Sequence, residues 1–178
     1  MQKKEQGKLT QRQLFDLLHI GSVDKFNDYR AKHPKRTINL KGVDLHDANL
    51  TEVNLGGANL TGANFGGVTL FRADLRAVNA DDVNFTSASF HRANLDDAKL
   101  TAADCSNAGF CKASCRFTDF SGANLESADF EGADLEGAEF VHADLWDTRG
   151  LSKRARTNYV RQLQKSWHVG EHGGPVLY

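Results

Sequence analysis

No apolar run in this chain of 178 residues approaches the ~18 consecutive residues that cross a bilayer. The opening MQKKEQGK is charged and leads into no apolar stretch, so no secretory leader is expected. Cysteine is too scarce for a disulfide framework: there are 3, an odd number. Proline and methionine are scarcer still, at 2 and 1. No Walker loop, G-x-G-x-x-G, C-x-x-C pair or nucleophile elbow occurs, so neither cofactor nor catalysis is expected. Core-forming residues are not lacking. Hydrophobic residues make up 40% against 25% charged, which argues against disorder. The expectation is a cytoplasmic, reduced protein of one domain with short appendages and no membrane association.

What is present is a repeat. From Ile38 a five-residue frame runs without slippage, INLKG, VDLHD, ANLTE, VNLGG, ANLTG and onward to AEFVH and ADLWD, for 22 units. The third position falls at every multiple of five from Leu40 to Leu145 and holds 12 Leu, 7 Phe, 2 Cys and 1 Ala. The first position is Ala in 15 of the 22 units and otherwise Val, Ile or Thr. A period of five fits neither the 3.6 of a helix nor the 2.0 of a strand. A turn in every unit satisfies it. The large residue then faces inward, the small one two earlier fits the tight corner, and the intervening Asn or Asp points outward to bond turn backbone. One unit cannot bury its own apolar face, so units must wind and stack.

The pattern A-(D/N)-(L/F)-x-x resembles the pentapeptide-repeat family over residues 38 to about 147. The resemblance implies an all-β solenoid, a right-handed quadrilateral β-helix with four units per coil. That makes about 5.5 coils and a rod of roughly 26 Å at ~4.8 Å per coil. Residues 20 apart then stack, placing Leu50, Leu70, Phe90, Phe110 and Phe130 on one face and Leu55, Leu75, Leu95, Cys115 and Leu135 on another. Three parts follow: an N-terminal helical cap over 1–37, the β-helix over 38–150, and a C-terminal basic amphipathic helix and flexible tail over 151–178.

An open solenoid exposes strand edges at its ends, so caps are needed. Thr10-x-x-Gln13 reads as a capping box opening a helix that ends at Gly21, and a second helix starts at Ser22 and stops before Pro34. Ser152 caps a helix over 153–167 whose apolar stripe is Ala155, Tyr159, Val160, Leu163 and Trp167. That stripe either closes the rod or pairs with a second copy, since the resemblance implies members that dimerise at their C-terminal ends.

Charge is segregated. Residues 38–150 carry 8 Lys/Arg against 18 Asp/Glu, while residues 1–37 carry 9 against 4 and residues 151–178 carry 5 against 1. Within residues 117–148 there are nine carboxylates and no Lys or Arg. Quinolone-resistance members of the family imitate B-DNA on DNA gyrase with an acidic rod, so a DNA-mimicking modulator of gyrase or another DNA-handling enzyme is the alternative function. It needs a dimer, because duplex carries one charge per ~1.7 Å and the acid here sits at one end beside a basic helix. Direct nucleic-acid binding is not expected, for the same acidic coils repel phosphate.

The preferred reading is a non-enzymatic, rigid protein-interaction module with an unidentified protein partner. Stacking at 20-residue intervals aligns Phe71, His91 and Cys111, with Arg72, Arg92 and Lys112 beside them and Arg76 and Arg116 on the next face. An aromatic beside a basic stripe marks this corner as the candidate partner-binding surface. Cys105 and Cys115 fall at core positions. His168-x-x-Glu171-His172 matches a zinc pattern in letters only, because Gly170 and Gly173-Gly174-Pro175 deny it the helix it needs.

Overall fold

A backbone that turns every five residues must still satisfy five N–H groups per unit, and the computed structural model shows how. It describes residues 9–167, with side chains through Arg161. In the unit Ala58–Gly62, Ala58 N–H closes a turn on Leu55 O at 2.8 Å, and Asn59 N–H reaches back one coil to Ile38 O at 2.8 Å. Leu60 N–H reaches forward to Asn79 O at 2.7 Å, and Gly62 N–H to Asp81 O at 3.0 Å. Thr61 N–H, facing outward, donates to the Asn59 side-chain oxygen at 3.0 Å. An Asn or Asp at the second position is therefore the acceptor for the one N–H that the coils leave unpaired.

All pairing is parallel and steps by 20 residues, from Asn39 with Asn59 through to Asp129 with Arg149. Each face is one bridge wide, because the next turn arrives before a longer strand can form, so the described residues build bridges and turns rather than extended strands. The fifth residue of every unit has positive φ, between 51° and 72°, the second central residue of a type II turn. Only seven of these 22 residues are Gly.

The central Leu, Phe, Cys and Ala side chains form the buried axis, with only Leu145 partly exposed. Phe90, Phe110 and Phe130 stack at 4.6 Å centroid spacing, close to the coil rise. First-position Ala side chains line the corners at 5% exposure or less from Ala58 to Ala128, and Val53, Val68, Val78 and Val83 are buried at the same position of other units.

Helices α1 (Gln11–His19) and α2 (Val23–Lys32) bury Leu14, Leu18 and Phe26 in the same apolar cluster as Ile38 and Leu40. The Thr10–Gln13 capping box opens α1. Two amides from these helices stand where a preceding coil's backbone would be. Gln11 accepts from Asn39 N–H at 3.2 Å and donates to Thr37 O; Asn27 accepts from Asn54 N–H at 2.8 Å and donates to Glu52 O at 2.9 Å. Arg30 adds bonds to Arg36 O and Gly56 O. At the other end α3 (Lys153–Trp167) starts with Ser152 Oγ accepting from Ala155 N–H at 3.1 Å. Ala155 is buried, and Tyr159 donates its hydroxyl to Ala143 O at 3.3 Å. Among the described residues no helix is long and apolar enough to cross a membrane.

Candidate functional site

Two neighbouring faces carry the residues singled out above. On the Phe90 face, Phe71 and His91 stack with ring centroids 5.7 Å apart and planes 7° from parallel, and the Arg72 guanidinium lies over Phe71 at 5.2 Å. Arg72 reaches Glu52 one coil back at 3.5 Å. Arg92 and Lys112, both exposed, have no carboxylate partner among the described residues. Cys111 is partly buried; its thiol pKa is pushed up first by burial and then by the nearby Asp129 and Glu131 carboxylates, so it is a poor nucleophile.

The Cys115 face is different. Arg76 folds onto Asp74 two residues before it, with Nε at 2.9 Å and Nη2 at 2.7 Å from the two carboxylate oxygens. The hydrogen bond to Arg76 is the main cause that holds Asp74 below the usual carboxylate range. Arg116 bridges Asp134 at 3.1 Å and Glu136 at 2.7 Å while lying over Phe117. These two arginines are neutralised within the coil lattice. The geometry thus brings Phe71, Arg72, His91, Arg92, Cys111 and Lys112 together and sets Arg76 and Arg116 apart from them.

One feature of the Phe90 face escaped the reading of the sequence. Its second-position residues in three successive coils are Thr69, Ser89 and Gly109, where most units have Asn or Asp. The outward N–H groups of Phe71 and His91 consequently find no acceptor among the described residues, and that of Cys111 turns to its own thiol. At both ends of the face the usual bond returns, Thr51 N–H to Asn49 at 3.1 Å and Glu131 N–H to Asp129 at 2.9 Å. The signal was available in the repeat: a second position without a side-chain carbonyl or carboxylate oxygen.

Cys105 and Cys115 are fully buried and unbonded, and burial in the apolar axis is the first cause raising both thiol pKa values. Of the α3 stripe, Ala155 and Tyr159 turn to the core and Val160 is exposed. Leu163 and Trp167 lie outside the described side chains, and His168, Glu171 and His172 outside the described residues. Within the acidic stretch, Asp129 meets Arg149 at 3.5 Å, and Arg154 helps hold Asp134 in its charged form, behind the larger effects of the Glu136 N–H and Arg116.

These features define a four-sided stack of parallel-bridged, five-residue units presenting an ordered lattice of outward side chains. The sequence matches the family description "Pentapeptide repeats" in eight copies, over residues 38–76, 69–104, 79–114 and 112–147, and the chain belongs to that family. Among solved structures it is similar to HetL, a pentapeptide repeat protein involved in heterocyst differentiation regulation in Nostoc sp. strain PCC 7120. The identity is 32% over 62% of this chain and 58% of that one, with a TM-score of 0.26. This chain therefore spans less than two thirds of HetL. A pentapeptide repeat protein of the Arabidopsis thaliana thylakoid lumen is 23% identical over 68% of this chain and 77% of its own, with a TM-score of 0.33. The plasmid-mediated fluoroquinolone resistance protein QnrB1 is 16% identical over 71% and 87%, with a TM-score of 0.33. No curated protein matches the chain.

Proposed function

We propose that this protein is a non-enzymatic interaction module: a right-handed quadrilateral rod of about 5.5 coils, closed by α1 and α2 at one end and α3 at the other, that engages a protein partner through its Phe90 face. The observation that carries the reading is the pair Arg92 and Lys112, without a carboxylate partner among the described residues, beside the stacked Phe71 and His91. The surrounding repeat has more than twice as many acids as bases. A solenoid fixes such groups on its backbone lattice, so binding orders little beyond the side-chain tips. Three unbonded thiols support a reducing, cytoplasmic setting.

The DNA-imitating alternative draws on the acid of residues 117–148. It is the weaker reading because Arg116, Arg149 and Arg154 already engage that acid. Two measurements separate the readings. Photo-crosslinking from a probe at His91 in cells yields adducts that disappear in an Arg72→Glu/Arg92→Glu/Lys112→Glu variant if the Phe90 face binds a protein; adducts that persist argue against it. Light scattering at low and high salt reports whether the 19.6 kDa chain pairs through α3, as the gyrase-directed alternative requires.

A further inference from the structure

The Phe90 face has the spacing and charge of a receptor for one kind of segment. We infer that its partner presents an acidic α-helix, laid along the rod axis with carboxylates at i, i+3 or i+4, and i+7; this rests on the Phe90 face being the binding surface. Arg72, Arg92 and Lys112 occupy equivalent positions in successive coils, so the column spans two coil rises, ~9.6 Å. A helix advances ~10.5 Å from i to i+7, which keeps three carboxylates in step with three cations. An extended chain presents one face every ~6.7 Å and falls out of step after the first contact.

Two further features fit the same occupant. Beside Arg72 and Arg92 lie the outward backbone N–H groups of Phe71 and His91, which lack an acceptor among the described residues. A carboxylate arriving there accepts from both the side-chain cation and the main chain, replacing the oxygen that Asn or Asp supplies in most other units. The second-position residues Thr69, Ser89 and Gly109 are small, so they put little bulk between an arriving helix and the backbone. Glu52 at one end and Asp129 and Glu131 at the other bracket the cationic stretch, limiting the contact to about two helical turns.

The test uses the full chain and three labelled probes of matched charge in fluorescence anisotropy: a stapled helical peptide with Glu at i, i+4 and i+7, a proline-interrupted peptide of the same composition, and a short DNA duplex. The stapled helix is expected to bind at least tenfold more tightly than the other two, and less tightly as salt rises. Arg92→Glu/Lys112→Glu should lose that binding. So should Ser89→Asn/Gly109→Asn, which places uncharged side-chain acceptors at the second positions beside Arg92 and Lys112. Gly109 has open space around a built Cβ and no positive φ, so the second variant folds independently of the charge reversal.

Preference for the interrupted peptide or the duplex, abolished by the same variants, overturns the helix while leaving the face a binding surface. Helix binding that survives both variants puts the contact elsewhere and overturns the inference. Binding of none of the three overturns the inference and removes the support this face lends to the proposed function.

Discussion

Phe110 and Phe130, 20 residues apart, lie nearly parallel with ring centroids 4.6 Å apart, and Phe120 meets both of them edge-on at 5.7 Å. Phe110 also stacks on Phe90 at 4.6 Å. It is therefore held on three sides by aromatic rings in the middle of the axis. Phe110→Ala leaves a cavity that neighbouring coils cannot close without breaking their bridges. The expected cost is about 3–5 kcal/mol, read from urea denaturation; a loss below about 1 kcal/mol would remove the ring column from the stability argument.

The Asn27 amide imitates a peptide group of a coil that does not exist, accepting from Asn54 N–H and donating to Glu52 O. Asn27→Ala leaves both edge groups to water or unpaired, at an expected cost of about 1–3 kcal/mol. Hydrogen exchange at the Asn54 amide should accelerate well before exchange in the central coils responds, since the edge opens first. Uniform acceleration along the whole rod would contradict a local role.

Left-handed backbone at the fifth position costs an L-residue roughly 1–2 kcal/mol that Gly does not pay. Ala77 and Ala102 sit there with φ of 52° and 55°. Ala102→Gly should stabilise by up to about 1 kcal/mol after the greater unfolded-state freedom of Gly is offset. Gly122→Ala, with φ of 68° and nothing closer than 3.9 Å to a built Cβ, should cost about 1 kcal/mol from conformation alone. Gly137→Ala should cost more, because its Cβ would fall within 2.5 Å of the Phe117 ring. Pairing it with Phe117→Ala should remove the excess, a coupling that a double-mutant cycle reads directly.

The His46 ring Nδ1 lies 2.8 Å from Asp44 Oδ1, and the same oxygen accepts from His46 N–H at 3.1 Å. The side-chain hydrogen bond is the first cause both of the raised His46 pKa and of the lowered Asp44 pKa. The His46 contribution to stability is present below the ordinary value of about 6.5 and is lost as pH rises through its raised folded value. The Asp44 contribution is present above its ordinary value of about 3.9 and is lost as pH falls through its lowered one. A proton NMR titration should place the His46 midpoint above 6.5, and Asp44→Asn should bring it back; an unchanged midpoint in that variant would break the assignment.

The frame of the fold was legible because its determinants recur every five residues. Leu or Phe at the third position, Ala at the first and Asn or Asp at the second each report a local geometric need, and the 20-residue ladder Leu50–Leu70–Phe90–Phe110–Phe130 pairs face to face as the resemblance implied. The candidate face was only partly legible. Stacking put Arg72, Arg92 and Lys112 in one column and Arg76 and Arg116 in the next, but the letters treat all five as equivalent cations.

By itself the sequence determined what is local and periodic: the register, the inward residues, the turns and the asymmetry of charge. The tertiary structure decided which polar groups remain unsatisfied. Arg76 turns to Asp74 of its own unit, although Asp96 is also near enough to act on its charge. Gln11 and Asn27 reach edge groups 28 and 27 residues away because α1 and α2 bury their apolar faces on the first coil. Among the described residues, Arg92, Lys112 and the outward N–H groups of Phe71 and His91 are left without a partner. Pairing of that kind depends on competition among groups distant in the chain, which only the folded lattice resolves.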